Sequence, residues 1–257
     1  PEGVAPGSYQ GEVKIATNGT PAEVTVPVKL DVVAMAAPFA TFGGIVSNAN
    51  FQPGELAQGD LPAIFGSMFT TGAPAGASSL PLPTSLGGTT VFINDQPAPI
   101  FYTSYGQVNF QVPYDTPAGE AIVRVDRDGQ RGNPVSIRIA ERAPRILVAV
   151  NAQGTAVTAG TTGPLAPVVP GETLVVYCLG FGQTANPVVS GQAAPANPLA
   201  MIDPYPRVSF GGSPFNPPAY ADPLFVGLSP NFVGLYQVNV TIPSNVQRGP
   251  TIPMIIQ

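Results

Sequence analysis

The chain is predicted to be all-β, a series of β-sandwiches, and three observations carry that prediction. Val, Ile and Phe alternate with polar residues in short runs. Gly and Pro, 29 and 32 of the 257 residues, punctuate those runs. No long apolar stripe of helical period appears. Breakers at this density also occur in disordered chains. Here 44 % of the residues are hydrophobic, and their regular alternation gives many short strands an apolar face to bury.

A repeated pattern sets the organisation. Gly59-Asp60, the run Leu61–Phe65 and Gly66 match Gly171-Glu172, the run Thr173–Leu179 and Gly180. Each reads as a turn, a buried strand and a glycine at which the backbone bends. Gln107-Val108-Asn109-Phe110-Gln111-Val112-Pro113 matches Gln237-Val238-Asn239-Val240-Thr241-Ile242-Pro243, and Gly119 and Gly249 keep the offset of that match. Val108, Phe110 and Val112, like Val238, Val240 and Ile242, make the apolar face, and the polar residues between them the other. The stretch from the first glycine to the Gln-Val-Asn motif is longer in the second copy (Gly171 to Gln237) than in the first (Gly59 to Gln107). Most of the added length lies between Val208 and Gln237. Loops enlarged on a rigid scaffold are where binding sites gather.

Residues 1–35 differ. Val24, Val26, Val28, Leu30 and Val32 alternate with polar residues, Tyr9–Thr17 precedes them across a turn at Asn18-Gly19, and Pro27 places that strand at an edge or bulge. This hairpin reads as the last two strands of a preceding module, giving a division into 1–35, 36–143 and 144–257. In the first full module Ala121–Val125 and Pro134–Ile139 flank a hairpin turn at Asp128-Gly129. Thr251–Ile256 is the counterpart of Ala121–Val125, and the returning strand would fall past Gln257. The last module is therefore expected to be one strand short. Its edge is either open to strand exchange with a neighbouring chain or protected by Pro253 and covering loops.

Four motifs carry a family likeness: Leu80–Gly88 (LPLPTSLGG), Gly106–Pro113 (GQVNFQVP), Ser190–Ala200 (SGQAAPANPLA) and Gly227–Pro243 (GLSPNFVGLYQVNVTIP). Together with the Gly-acid turns they resemble the Solibacter C-terminal domain, a module of unknown function in secreted acidobacterial proteins, built of IPT/TIG-type immunoglobulin-like repeats. The hairpin resembles the tail of a BACON-like domain. The resemblance implies tandem immunoglobulin-like sandwiches and an extracellular or cell-surface location; it brings no activity and no catalytic residue.

Chemistry is sparse. The chain has no histidine, which removes Ser-His-Asp and Cys-His nucleophiles and the commonest metal ligand. Its only lysines, Lys14 and Lys29, sit on the polar face of the hairpin, and the 15 acids form no recognisable pair. Asp126-Arg127-Asp128-Gly129 opens like a calcium loop but lacks the later ligands. The single cysteine, Cys178, forms no intramolecular disulfide and reads as a small buried hydrophobe. Catalytic residues, metal ligands and cofactors are accordingly expected to be absent, and the chain is read as non-enzymatic. A net charge of −5 without a basic stripe argues against nucleic acid, and no apolar run reaches membrane-spanning length.

Aromatic residues carry what binding potential there is. Phe101, Tyr102 and Tyr105 lie before the first Gln-Val-Asn strand; Tyr205, Phe215, Tyr220, Phe225 and Phe232 occupy the enlarged loops of the second copy. They are read either as a platform for a glycan or protein partner or as plugs of the sandwich ends. The function expected from these observations is a structural or adhesive spacer or docking module of a larger secreted bacterial protein. The alternative is a carbohydrate- or protein-binding module using the second copy's aromatics.

Overall fold

A computed structural model describes residues 7–32, 37–157, 166–213 and 217–256. The protein is all-β, with 47 % strand and no helix among the described residues. It divides into two compact units, Pro1–Ala37 and Pro38–Gln257.

In the first unit β1 (Gly7–Ala16) and β2 (Glu23–Val32) form an antiparallel ribbon. The connection is wider than a tight Asn-Gly turn: Thr17 N–H donates to the Ala22 carbonyl at 2.8 Å, enclosing the whole of Asn18–Pro21. Val13 pairs with Val26 and Ile15 with Val24, so period-two geometry gathers Val13, Ile15, Val24, Val26 and Val28 on one face. All five are 41–51 % exposed.

The second unit begins with β3 (Phe39–Ser47), β4 (Leu56–Ala57), β5 (Pro62–Ser67), β6 (Ala75–Gly76), β7 (Thr89–Ile93), β8 (Gln96–Ala98), β9 (Ile100–Thr103), β10 (Gln107–Phe110), β11 (Gly119–Arg127) and β12 (Gln130–Ala140). They form two five-stranded sheets, β3-β5-β10-β9-β6 and β4-β12-β11-β7-β8. One core draws on both sheets, with Ile64, Val108 and Phe110 from the first and Val91, Val123 and Ile139 from the second. There follow β13 (Arg145–Val150), β14 (Thr173–Leu179), β15 (Val208–Phe210), β16 (Ala219–Ala221), β17 (Phe225–Leu228), β18 (Tyr236–Thr241) and β19 (Met254–Ile256). These give sheets β13-β14-β18-β17 and β16-β15-β19 around a separate core.

The two halves correspond in their central strands. β5 pairs with β10 as β14 pairs with β18: Val108 lies opposite Ile64, and Val238 opposite Val176. Gly59 N–H donates to the Val112 carbonyl and Val112 N–H to that of Asp60, both at 2.9 Å. Gly171, Ile242 and Glu172 repeat those two bonds at 2.9 Å each. Gln107 Nε2 donates to Asn109 Oδ1 at 2.8 Å, and Gln237 Nε2 to Asn239 Oδ1 at 2.9 Å. Val108, Phe110, Val238 and Val240 are fully buried, so the inward face is the one the alternation marks. Asp128 and Gly129, both at positive φ, connect β11 to β12 as a tight turn with Arg127 opposite Gln130.

Three expectations are corrected. Gly66 is not the counterpart of Gly180. The left-handed residue before a buried phenylalanine is Met68 (φ 62°, before Phe69) in the first half and Gly180 (φ 80°, before Phe181) in the second. Gly66 lies within β5, where a Cβ would run into the Phe39 carbonyl and the Phe69 ring. Close approach, rather than a bend, requires the glycine. The strand counted as Thr251–Ile256 is only Met254–Ile256, because Pro253 has no N–H to donate. The constant offset between the copies also fails there. Met254 and Ile256 pack toward the core, with Ile255 52 % exposed, whereas the positions at that offset, Arg124 and Asp126, face outward. Met254 and Ile256 therefore answer to Val123 and Val125, one position further back, since a slip by one reverses every side chain.

The Gly59 and Gly171 turns give a paired test. Both have positive φ, 75° and 89°, but a Cβ on Gly59 would strike the Tyr114 ring, while Gly171 has open space. Gly171→Ala is expected to lower stability by about 1 kcal/mol, and Gly59→Ala by roughly 2–4 kcal/mol, read as the difference in denaturant midpoints.

Candidate functional site

The most heavily built polar region lies where the two halves of Pro38–Gln257 meet. Tyr114, on the turn after β10, is 8 % exposed and packs into the core of the second half with Phe181 and Tyr236. Gly59 makes room for its ring on the near side. The backbone around it is held across the junction. Tyr114 N–H donates to Ser190 Oγ at 2.9 Å, and Gln183 Nε2 to the Tyr114 carbonyl at 2.9 Å. Gly191 N–H donates to Gln111 Oε1 at 2.6 Å, and Leu82 N–H to the Gly191 carbonyl at 2.8 Å. Gln111 is fully buried although it lies on the polar face of its strand; the second half covers that face.

Electrostatics at the junction follow from burial. Asp60, in the Gly-acid turn, has no exposed surface. Its Oδ1 accepts from Leu61 N–H at 2.8 Å, its Oδ2 accepts no hydrogen bond, and Arg145 Nη1 lies 3.9 Å away. Loss of water raises its pKa from 3.8 to about 6, against the opposing pull of the Leu61 amide and Arg145. The counterpart Glu172 remains partly in water and accepts from Val169 N–H at 3.2 Å through Oε2. Burial likewise pushes the Tyr114 phenol up to about 12 and the Tyr236 phenol well above its ordinary value. Tyr236 donates its hydroxyl proton to the Gly182 carbonyl, whereas the Tyr114 hydroxyl beside it makes no hydrogen bond of ordinary geometry. A cleft of about 200 Å³ opens next to Tyr114, lined also by Asp115, Gln183, Thr184, Pro187 and Val188. It offers one exposed carboxylate and amide and hydroxyl groups, with no nucleophile–base pair.

The sequence-predicted aromatics lie elsewhere. Tyr205, Tyr220 and Phe232 are exposed by 42 %, 46 % and 55 %; Phe225 is half-buried in β17; Phe215 lies outside the described residues. Tyr220 stacks under the Arg207 guanidinium, whose carbon is 5.0 Å from the ring centre. Phe232 is tied through its carbonyl to Ala194 N–H at 2.8 Å, which places it on the loop beside the junction. Tyr205 follows Asp203 and Pro204, whose carbonyls receive the Arg142 guanidinium at 2.7 and 3.2 Å. None of the four stacks on another: the ring pairs among the described residues are Phe39–Phe42 and Phe181–Tyr236. They are separate rings on separate elements.

Cys178 is buried, and burial raises its thiol to about 12, so it is held as a neutral core group. Among the described residues no three acids or cysteines gather to hold a metal ion, and no helix is long and apolar enough to cross a membrane. No protein-family model matches the chain, and no curated protein matches it either. The junction residues themselves carry no motif that marks them in the sequence. The available signal is Gly59-Asp60 together with Tyr114 just beyond the Val-Pro that ends the first Gln-Val-Asn strand.

Two outcomes test this geometry. Tyr114→Ala empties a core position and is expected to cost about 3–5 kcal/mol, while Tyr114→Phe, which keeps the ring and gives up only the hydroxyl beside that of Tyr236, is expected to cost about 1 kcal/mol or less; urea melts separate them. Asp60 has a folded pKa above its unfolded value, so its contribution to stability is complete below about pH 3.8 and is lost as pH rises through about 6. The full difference is of order 3 kcal/mol. Asp60→Asn is expected to flatten that part of the stability–pH curve, measured as melts between pH 4 and pH 7.5.

Proposed function

We propose that the chain is a structural spacer or docking segment of a larger secreted or cell-surface bacterial protein, built of tandem immunoglobulin-like repeats of the IPT/TIG type and related to the Solibacter C-terminal domain. One observation carries the spacer reading. Tyr114 belongs to one half by sequence and is buried in the core of the other, so the two halves cannot swing apart without exposing an aromatic ring. Supporting the repeats are the matching central ladders and the matching Gly-acid bonds. Supporting the location are the low charge, 10 % of residues, and the scarcity of lysine, Lys14 and Lys29 alone. A rigid junction suits a part whose task is to hold neighbouring modules at a set distance and angle.

A second reading, a glycan- or protein-binding module, is favoured by the exposure of Tyr205, Tyr220 and Phe232 on the enlarged loops. A glycan-array and pull-down screen of the chain decides between them. The spacer reading expects no saturable ligand. Capture that disappears in Tyr220→Ala or Phe232→Ala, with the melting midpoint unchanged, replaces it with the binding reading.

A further inference from the structure

The connection between β1 and β2 holds a reactive pair. Asn18-Gly19 is the one place in the sequence where glycine follows asparagine. The side-chain amide carbon of an asparagine can close a five-membered ring with the backbone nitrogen of the next residue. A Cβ on that residue crowds the closure, and glycine has none. Both Asn18 and Gly19 are exposed. At Gly19 the space a Cβ would take is open, with nothing beyond its chain neighbours within 4 Å. The Asn18 amide makes no hydrogen bond among the described residues. Other asparagines are held: Asn48 donates to the Leu61 carbonyl at 2.8 Å, Asn94 accepts from Ile122 N–H at 2.9 Å, and Asn133 both accepts from Ala40 N–H and donates to its carbonyl. Gly19 N–H makes a long bond, 3.3 Å to Thr17 Oγ, in a loop where water reaches the proton that must leave.

The related pair Asp128-Gly129 is built differently. Asp128 and Gly129 are fixed at positive φ in a tight turn, Asp128 N–H donates to the Gly88 carbonyl at 2.9 Å, and the Asp128 carboxylate lies so close over Gly88 that a Cβ there would run into it. We propose that Asn18 is a site of spontaneous self-modification. The Gly19 nitrogen loses its proton to solvent and bonds to Asn18 Cγ. The bond from Cγ to the amide nitrogen breaks, and ammonia leaves with a proton returned by solvent. Water then opens the resulting succinimide at one of its two carbonyls. One opening gives aspartate; the other gives isoaspartate, in which the main chain runs through the former side chain. One water enters and one ammonia leaves, with no change of oxidation state. The new carboxylate makes the net charge of −5 one unit more negative. The added main-chain methylene of isoaspartate falls inside the loop closed by the bond from Thr17 N–H to the Ala22 carbonyl, so the register of the ribbon is kept. The modification requires nothing of the spacer reading.

The test holds the full chain folded for several days at neutral and at mildly acidic pH and reads its peptides by mass spectrometry. Residue 18 is expected to gain the mass of an acid over an amide, faster at neutral pH, and to take up one heavy oxygen when the solvent is heavy-oxygen water. A methyltransferase specific for isoaspartate is expected to label the product. Gly19→Ala is expected to slow the conversion severalfold, and Asn18→Gln, whose ring would need a sixth atom, to abolish it, both with an unchanged melt. Asp128 is expected to stay unaltered. An Asn18 that stays intact in the folded chain, whether or not it converts in urea, overturns the proposal. So does a conversion indifferent to Gly19→Ala, a product without isoaspartate, or isoaspartate forming as fast at Asp128 as at residue 18.

Discussion

Two central ladders, β5 with β10 and β14 with β18, fix the geometry on which everything else in Pro38–Gln257 depends. Each is closed at one end by the Gly-acid turn, whose paired bonds to Val112 or Ile242 permit a single register. That register decides which side of the strand becomes core. Shifted by one position, Val108 and Phe110 would meet water and Gln107 and Asn109 the interior. A chain with so few charges has little else to specify its alignment. Its best ion-pair cluster, Arg124 with Asp126 and Asp95 at 2.8 Å each, sits on the outer face of β11 and not in either core. Backbone pairing and side-chain packing therefore carry the specification.

The junction between the halves extends the same logic. Once Gly59 is placed by its bond to Val112, the ring of Tyr114 has one space to enter, and the second core supplies the far wall of it. Gln111, on the polar face of the ladder, becomes a junction residue simply because that face is covered. Added loop length in the second half supplies the covering backbone. Ser190 and Gly191 come from the stretch between β14 and β15, which has grown without disturbing either ladder.

Local pattern is a good guide where a single element decides the outcome. The bounds of β14, the inward face of β10 and β18 and the Asp128-Gly129 turn all follow from alternation and turn chemistry within a short window. Pattern fails where distant segments decide. Gly66 and Gly180 look equivalent as letters, yet one answers a carbonyl across the sheet and the other a left-handed backbone that Met68 adopts in the first half. Counting by a constant offset holds through Ile242 and then slips by one, because Pro253 and the loop before it absorb a residue. The tight turn at Asn94-Asp95, both at positive φ, is invisible for want of the usual glycine. The enlarged loops point to Tyr205, Tyr220 and Phe232, which lie at the surface. Nothing in their spacing says whether separate elements bring them together. Asp60 and Tyr114 gain their environment from the other half of the chain, so no local window contains it.

The contrast between Asp60 and Glu172 reaches beyond energetics. They occupy the same turn with the same backbone bonds, and differ in whether a neighbouring module covers them. The Asp60 carboxyl is therefore a gauge of moisture at the junction. Sealed, it holds its proton toward neutrality; wetted, it would titrate as an ordinary surface acid. The carboxyl carbon resonance of Asp60 would read the breathing of the joint from inside the molecule, with no probe attached and no residue changed.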